Sequence, residues 1–180
     1  MNSENTAAIH IETERLIMRD LIPSDDADMF ELDSDMEVHK YIGMNPVTSI
    51  DQSRNVIAII RQQYITNGIG RWALVEKNTG NFIGWGGLKL IIEPIGGRSN
   101  YYDLGYRLIK KYWGKGYATE QALAIVQYAW HTLKLNELSG IANIENLASR
   151  MVLEKIGMKS GTTFIHEGIK HVWYKLQKND

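Results

Sequence analysis

Cysteine is absent from the 180-residue chain. Disulfides, thiolate zinc sites and cysteine nucleophiles are thereby excluded together. No apolar run approaches the roughly 20 residues that span a bilayer, so no membrane partner is expected. An excess of charge is also missing: 20 Lys and Arg stand against 21 Asp and Glu, for a net charge of −1. Nothing in that balance draws the chain toward nucleic acid or an anionic lipid surface. The opening stretch MNSENTAAIHIETE has neither a basic start nor an apolar core, so no signal peptide is expected and a cytoplasmic location is the default. The histidines His39, His131, His166 and His171 show no metal-ligand spacing, and no metal is expected.

What is present suits one domain, here taken as residues 1–180, with 44% hydrophobic and 23% charged residues. RLIMRDL (15–21) alternates like a half-buried strand, and Ser24 or Asp25 can cap the helix that follows. Residues 49–68 read as a helix from a Ser49 cap to a Gly68 stop, with Val56, Ile57, Ile60 and Tyr64 at helical spacing. RWALVEK and FIGWGGLKLII flank an NTGN turn, and YYDLGYRLI is a further strand. A helix over 117–134 should bury Leu123, Val126, Trp130 and Leu133. A strand (ELSGIANI), a helix closed by Gly157 and a hairpin complete the chain. The order β-α-α-β-β-β-α-β-α-β-β implies one α/β domain on a mixed sheet, antiparallel over 71–109 and parallel across the 101–144 crossover.

The stretch YWGKGYATEQ stands between a strand and a helix, with Gly114, Gly116 and Ala118 at alternate positions. A helix start offers amide groups without partners and a partial positive charge. Small residues there let an anion reach the backbone, and a phosphate or pyrophosphate is the natural occupant; a plain tight turn is the competing reading. The segment is neither a Walker A loop nor a Rossmann fingerprint, because Thr119 stands at the third glycine position.

The turn resembles the pyrophosphate loop of the GNAT superfamily of acyl-CoA-dependent N-acetyltransferases, Q/R-x-x-G-x-G/A, with Trp113 in the first position. YWGKGYATEQAL is similar to the form found in the RimJ/RimL-like branch. So are TERLIMRDLIPSDDADMFELDSDMEVHKYIG (13–43) and NLASRMVLEKIGM (146–158), in matching order, the whole covering about 15–177. The resemblance implies a splayed mixed sheet flanked by helices, with acetyl-CoA between the strands at 101–109 and 137–144. It implies that the amides of Gly114, Lys115, Gly116, Tyr117, Ala118 and Thr119 hold the diphosphate. Backbone groups at Tyr106, Arg107 and Leu108 would pair with the pantetheine arm, and Asn146 would contact the cofactor. The implied partner is an amine acceptor, a protein N-terminus or a small amine, and a homodimer is among the expected assemblies.

Acetyl transfer to an amine needs the amine neutral, whereas free amines hold their proton up to about pH 8–10. A base must therefore take it. Asp103, where relatives often carry glutamate, is the leading candidate, against a merely solvated strand-end aspartate. For the departing thiolate, the tyrosine many relatives use is replaced by Leu153. Ser149, sharing a face with Asn146, is the candidate hydrogen-bond donor to the sulfur, against a serine bonded to its own backbone. Ser160 stands where relatives often carry glutamate. Trp72, Trp85 and Trp130 read as core. Those departures keep a second function open, a catalytically silent acyl-CoA-binding or sensing module on the same fold.

Overall fold

A computed structural model describes residues 7–178. Residues 1–6, part of the stretch read against a signal peptide, lie outside it. The elements are β1 (Ile9–Glu12), β2 (Leu16–Arg19), α1 (Asp26–Ser34), α2 (Met36–His39), α3 (Ile50–Asn67), β3 (Arg71–Glu76), β4 (Phe82–Ile91), β5 (Tyr101–Leu108), α4 (Tyr117–His131), β6 (Glu137–Asn143), α5 (Leu147–Lys155), β7 (Lys159–His166) and β8 (Ile169–Gln177). The strands form one sheet in the order β1-β2-β3-β4-β5-β6-β8-β7. Every neighbouring pair is antiparallel except β5 and β6, as the crossover reading requires.

Local chemistry explains most element ends. Ser49 caps α3 in extended backbone, and the Gln52 side chain accepts from the Ser49 N–H at 3.2 Å, which satisfies a helix-start donor. Gly68 ends that helix in the left-handed region at φ 67°. Asp25 sits at the α1 cap position, but its carboxylate bonds the Ile22 N–H at 2.9 Å and forks with the Arg19 guanidinium at 2.7–2.8 Å. It therefore ties β2 to the turn before the helix.

Three departures from the sequence reading have simple causes. β1 pairs only with β2 and half-exposes its side chains, so its apolar signal is weak. The one-turn helix α2 is too short to show a period; it is capped by Asp35, which accepts from the Glu37 N–H at 2.8 Å. In α4 the buried stripe is Ala122, Ile125, Val126, Ala129 and Trp130, while Leu123 is 46% exposed. Two small alanines face the sheet, and the bulkier leucine is turned out. The core joins that stripe to Trp72, Leu74, Ile83, Leu88, Leu104, Leu138 and Tyr174.

The feature that makes a site is a failure of pairing. β4 and β5 stay in register over eight positions, Gly84 to Ile91 against Leu108 to Tyr101. β5 and β6 meet only at Asp103 and Ser139. Beyond that point the parallel strands diverge toward their carboxyl ends, where open α/β sheets bind ligands.

Candidate active site

The divergence opens a cleft of about 750 Å³. β5 forms its floor, the turn into α4 one end, α5 a wall, and the segment after α2 the opposite rim. Asp103, Tyr106, Arg107, Leu108, Gly114, Gly116, Tyr117, Ala118, Thr119, Asn146 and Ser149 all line it. Lys115 does not: its ammonium lies 5.2 Å from the centre of the Tyr112 ring, outside the cleft.

At the turn, Gly114 and Gly116 have φ of 72° and 84°, a region that favours glycine. An added side chain would meet nothing within 4 Å at Gly114, so the backbone there is uncovered toward solvent. The first hydrogen bond of α4 runs from the Glu120 N–H to the Gly116 carbonyl at 3.1 Å. The amides ahead of it have no helical partner and remain free for an anion. Arg15 braces the turn from behind. It donates to the Lys115 carbonyl at 2.8 Å and to Glu120 at 2.6 Å, and it stacks 4.4 Å above the Tyr117 ring. Tyr117 in turn bonds Glu76. The sequence offered no sign of Arg15, because 105 positions separate it from its carboxylate partner.

Along β5 alternate side chains face opposite sides of the sheet. Leu104, Tyr106 and Leu108 face the side of α4 and α5. The Tyr106 phenol meets Ser149: burial pushes the phenol up, and a hydrogen bond from Ser149 pulls part of that back. The two hydroxyls therefore face each other along one wall of the cleft. Asn146 caps α5, its carbonyl accepting from the Ser149 N–H at 3.1 Å, which leaves its NH2 to the cleft. Leu153 is buried at 2% exposure. At Leu108 the carbonyl already accepts the Trp113 indole N–H at 2.7 Å.

Asp103, Gly105 and Arg107 face the side of α1. Asp103 is not the solvated strand-end residue of the bland reading. Its Oδ2 pairs with Arg71 at 2.6 Å, and the two side chains are 15% and 11% exposed. Arg71 also donates to the carbonyls of Gly87 and Asp103 at 2.6 and 2.7 Å. Oδ1 of Asp103 is buried and has no partner among the described residues. Arg107 pairs with Asp33 of α1 at 2.5 Å. Both guanidiniums lie against Trp85, at 5.5 and 5.0 Å from its ring. Trp72 and Trp130 are core as expected, at 1% and 8% exposure. Trp85 departs in part from the third of those readings: it packs against the core but is only partly buried and lines the cleft. Among the described residues no cluster of three metal-ligating side chains occurs.

The profile of the Acetyltransferase (GNAT) domain family matches residues 15–159. The chain is 30% identical over 147 residues to the uncharacterized N-acetyltransferase p20 of Bacillus licheniformis, covering 82% of this chain and 80% of that one. It superimposes on a GNAT-family acetyltransferase from Bacillus anthracis with a TM-score of 0.77 at 26% identity, covering 93% and 97% of the two chains. A RimL ribosomal L7/L12 alpha-N-protein acetyltransferase, solved with coenzyme A, shares the fold at a TM-score of 0.75 and 16% identity, covering 94% and 98%.

Proposed function

This chain belongs to the GNAT acetyltransferase family, and we propose that it moves an acetyl group from acetyl-CoA to a primary amine by direct attack in a ternary complex. The loop YWGKGYATEQAL supports a place in the RimJ/RimL-like branch. The observation that carries the reading is the open cleft, with unspent helix-start amides at one end and an unpartnered carboxylate oxygen in its floor.

Bound acetyl-CoA supplies the activated acetyl group as a thioester. The chain's own residues do the rest. The amides from Gly114 to Thr119 hold the diphosphate, with Arg15 fixing their geometry from outside the cleft. The main chain at Tyr106 and Arg107, released from β6 beyond Asp103, pairs with the extended arm. The Asn146 side-chain NH2 adds a donor. Asp103 orients the acceptor amine through Oδ1 and takes its proton directly or through water. Arg71 holds Asp103 in place by two hydrogen bonds and is itself anchored by a third, to the Gly87 carbonyl. On the other side of β5, Tyr106 presents its O–H to the departing sulfur with the Ser149 hydroxyl beside it. Burial keeps that phenol protonated at neutral pH. Ser149 therefore acts with Tyr106 rather than alone.

Release of free thiol with a panel of amines tests the reading, and the absence of cysteine leaves the assay without background from the protein. Thiol release with at least one amine, abolished in Gly116→Asp, is the expected result. CoA binding without turnover of any amine would instead support the silent module.

A further inference from the structure

Asp103, Arg71, Trp85, Arg107 and Asp33 form a row on the α1 side of the sheet, each touching the next. Three members have unspent hydrogen-bonding capacity. Asp103 Oδ1 is a buried acceptor without a partner, and the Trp85 indole N–H is a buried donor without one among the described residues. Arg107 carries five N–H donors, of which the described residues take one, through Asp33. Arg71 differs: its bonds to Gly87 and Asp103 hold it in the wall.

The row thus offers an acceptor at one end and donors at the other. An amine at Asp103 that also carries an oxyanion toward Arg107 would satisfy both ends. A polyamine would leave the Trp85 and Arg107 donors unmet and bring its second cation against a guanidinium. The other charges lining the cleft lean the same way. Lys40 and Lys155 have no carboxylate partner among the described residues, while Glu37 faces Lys110 at 3.7 Å. Unpaired charge in the cleft is positive.

We propose that the acceptor is a primary amine bearing a carboxylate a few bonds away, and that the side chain of Arg107 reads that carboxylate; this rests on the acetyl-transfer reading above. The shared chemistry could come from an acidic polypeptide N-terminus or from a free amino dicarboxylate.

Thiol release is measured with Ala-Xaa-Ala amides in which Xaa is Glu, Gln or Lys, and with free glutamate and spermidine. The Glu peptide or free glutamate should exceed the neutral peptide about tenfold in kcat/KM, equivalent to roughly 1.4 kcal/mol. The Lys peptide and spermidine should fall below it. Preference for the Glu peptide assigns a polypeptide source, and preference for glutamate a small molecule. Arg107→Gln combined with Asp33→Asn, which strands no buried carboxylate, should bring the Glu-to-Gln ratio near one while circular dichroism shows a folded chain. Equal rates for all three peptides together with no advantage for free glutamate, a preference for Lys or spermidine, or an unchanged preference for the carboxylate-bearing amine in the double variant overturns the proposal. If no amine releases thiol although CoA binds, the acetyl-transfer reading fails separately. Calorimetric titration of the CoA-loaded protein with the Glu and Lys peptides then decides the proposal, and equal affinities overturn it.

Discussion

Gly105→Ala probes how the cleft holds Asp103. Gly105 lies on β5 directly beneath the Arg71 guanidinium, and its own backbone angle is one that any residue adopts. A methyl group there would sit 2.7 Å from Nη2 and 3.0 Å from Cζ of Arg71. To regain ordinary contact, Arg71 must withdraw by about 0.7 Å. Its bonds to Gly87 O, Asp103 O and Asp103 Oδ2 are already 2.6–2.7 Å long and share one planar group, so they cannot all follow. Losing one charge-assisted bond costs about 1.5–3 kcal/mol. Replacing glycine by alanine inside a strand returns about 0.5–1 kcal/mol. The net loss is about 1–2 kcal/mol, or about 2–8 °C in Tm for a chain of this length. Asp103 loses its fixed position as well, and kcat/KM should fall roughly tenfold, within what sub-ångström misplacement of a reacting group costs. The affinity for CoA should not change, because the turn proposed to hold the diphosphate lies at the other end of the cleft. Thermal melting, thiol-release kinetics and CoA calorimetry read the three quantities. In an Arg71→Met background the substitution should cost nothing, which makes a double-mutant cycle the control. A Gly105→Ala variant with wild-type or higher Tm and wild-type kcat/KM would refute the claim that Arg71 positions Asp103.

Asp103→Asn should slow turnover at neutral pH without weakening CoA binding, and raising the pH should restore part of the rate as free amine accumulates; an unchanged pH-rate profile removes Asp103 from the mechanism. Tyr106→Phe should lower kcat by about 10²-fold, the low end of general-acid assistance, because a thiolate with pKa near ~8.5 leaves readily. Ser149→Ala should act in the same direction but less, and Asn146→Ala should raise the Kd for CoA; a wild-type kcat in Tyr106→Phe would show that the thiolate leaves unaided. Gly116→Asp places a β-carbon at φ 84° and a negative charge against the diphosphate, so calorimetry should find CoA affinity reduced at least 100-fold, about 3 kcal/mol. His39 is buried, neither ring nitrogen has a partner among the described residues, and burial together with the Arg107 charge holds its pKa below the ordinary 6.5. The unfolded chain then binds the extra proton, so stability is full above about pH 6.5 and declines as the pH falls below it. Melting curves from pH 7.5 to 5 should show that decline, and His39→Leu should flatten it.

Features that depend on near neighbours were legible along the chain. Periodicity placed α3, β3, β4, β5 and α5, because each carries its signal locally; α3, for instance, has a serine at one end, a glycine at the other and an apolar face between. The alternation of Gly114, Gly116 and Ala118 marked the turn ahead of α4 for the same reason, since left-handed backbone and a helix start are local properties. Which charges meet is set by the folded chain. Arg71 finds Asp103 across 32 positions, Arg107 finds Asp33 across 74, and Arg15 finds Glu120 across 105. A strand pattern states that Trp85 alternates with its neighbours, but not that it lines a cleft. Nor does it state that Ser149 meets Tyr106. Side-chain identity is written along the chain, whereas a hydrogen bond is set by distance. Where β5 parts from β6, distance is governed by the whole sheet and not by any one segment of it.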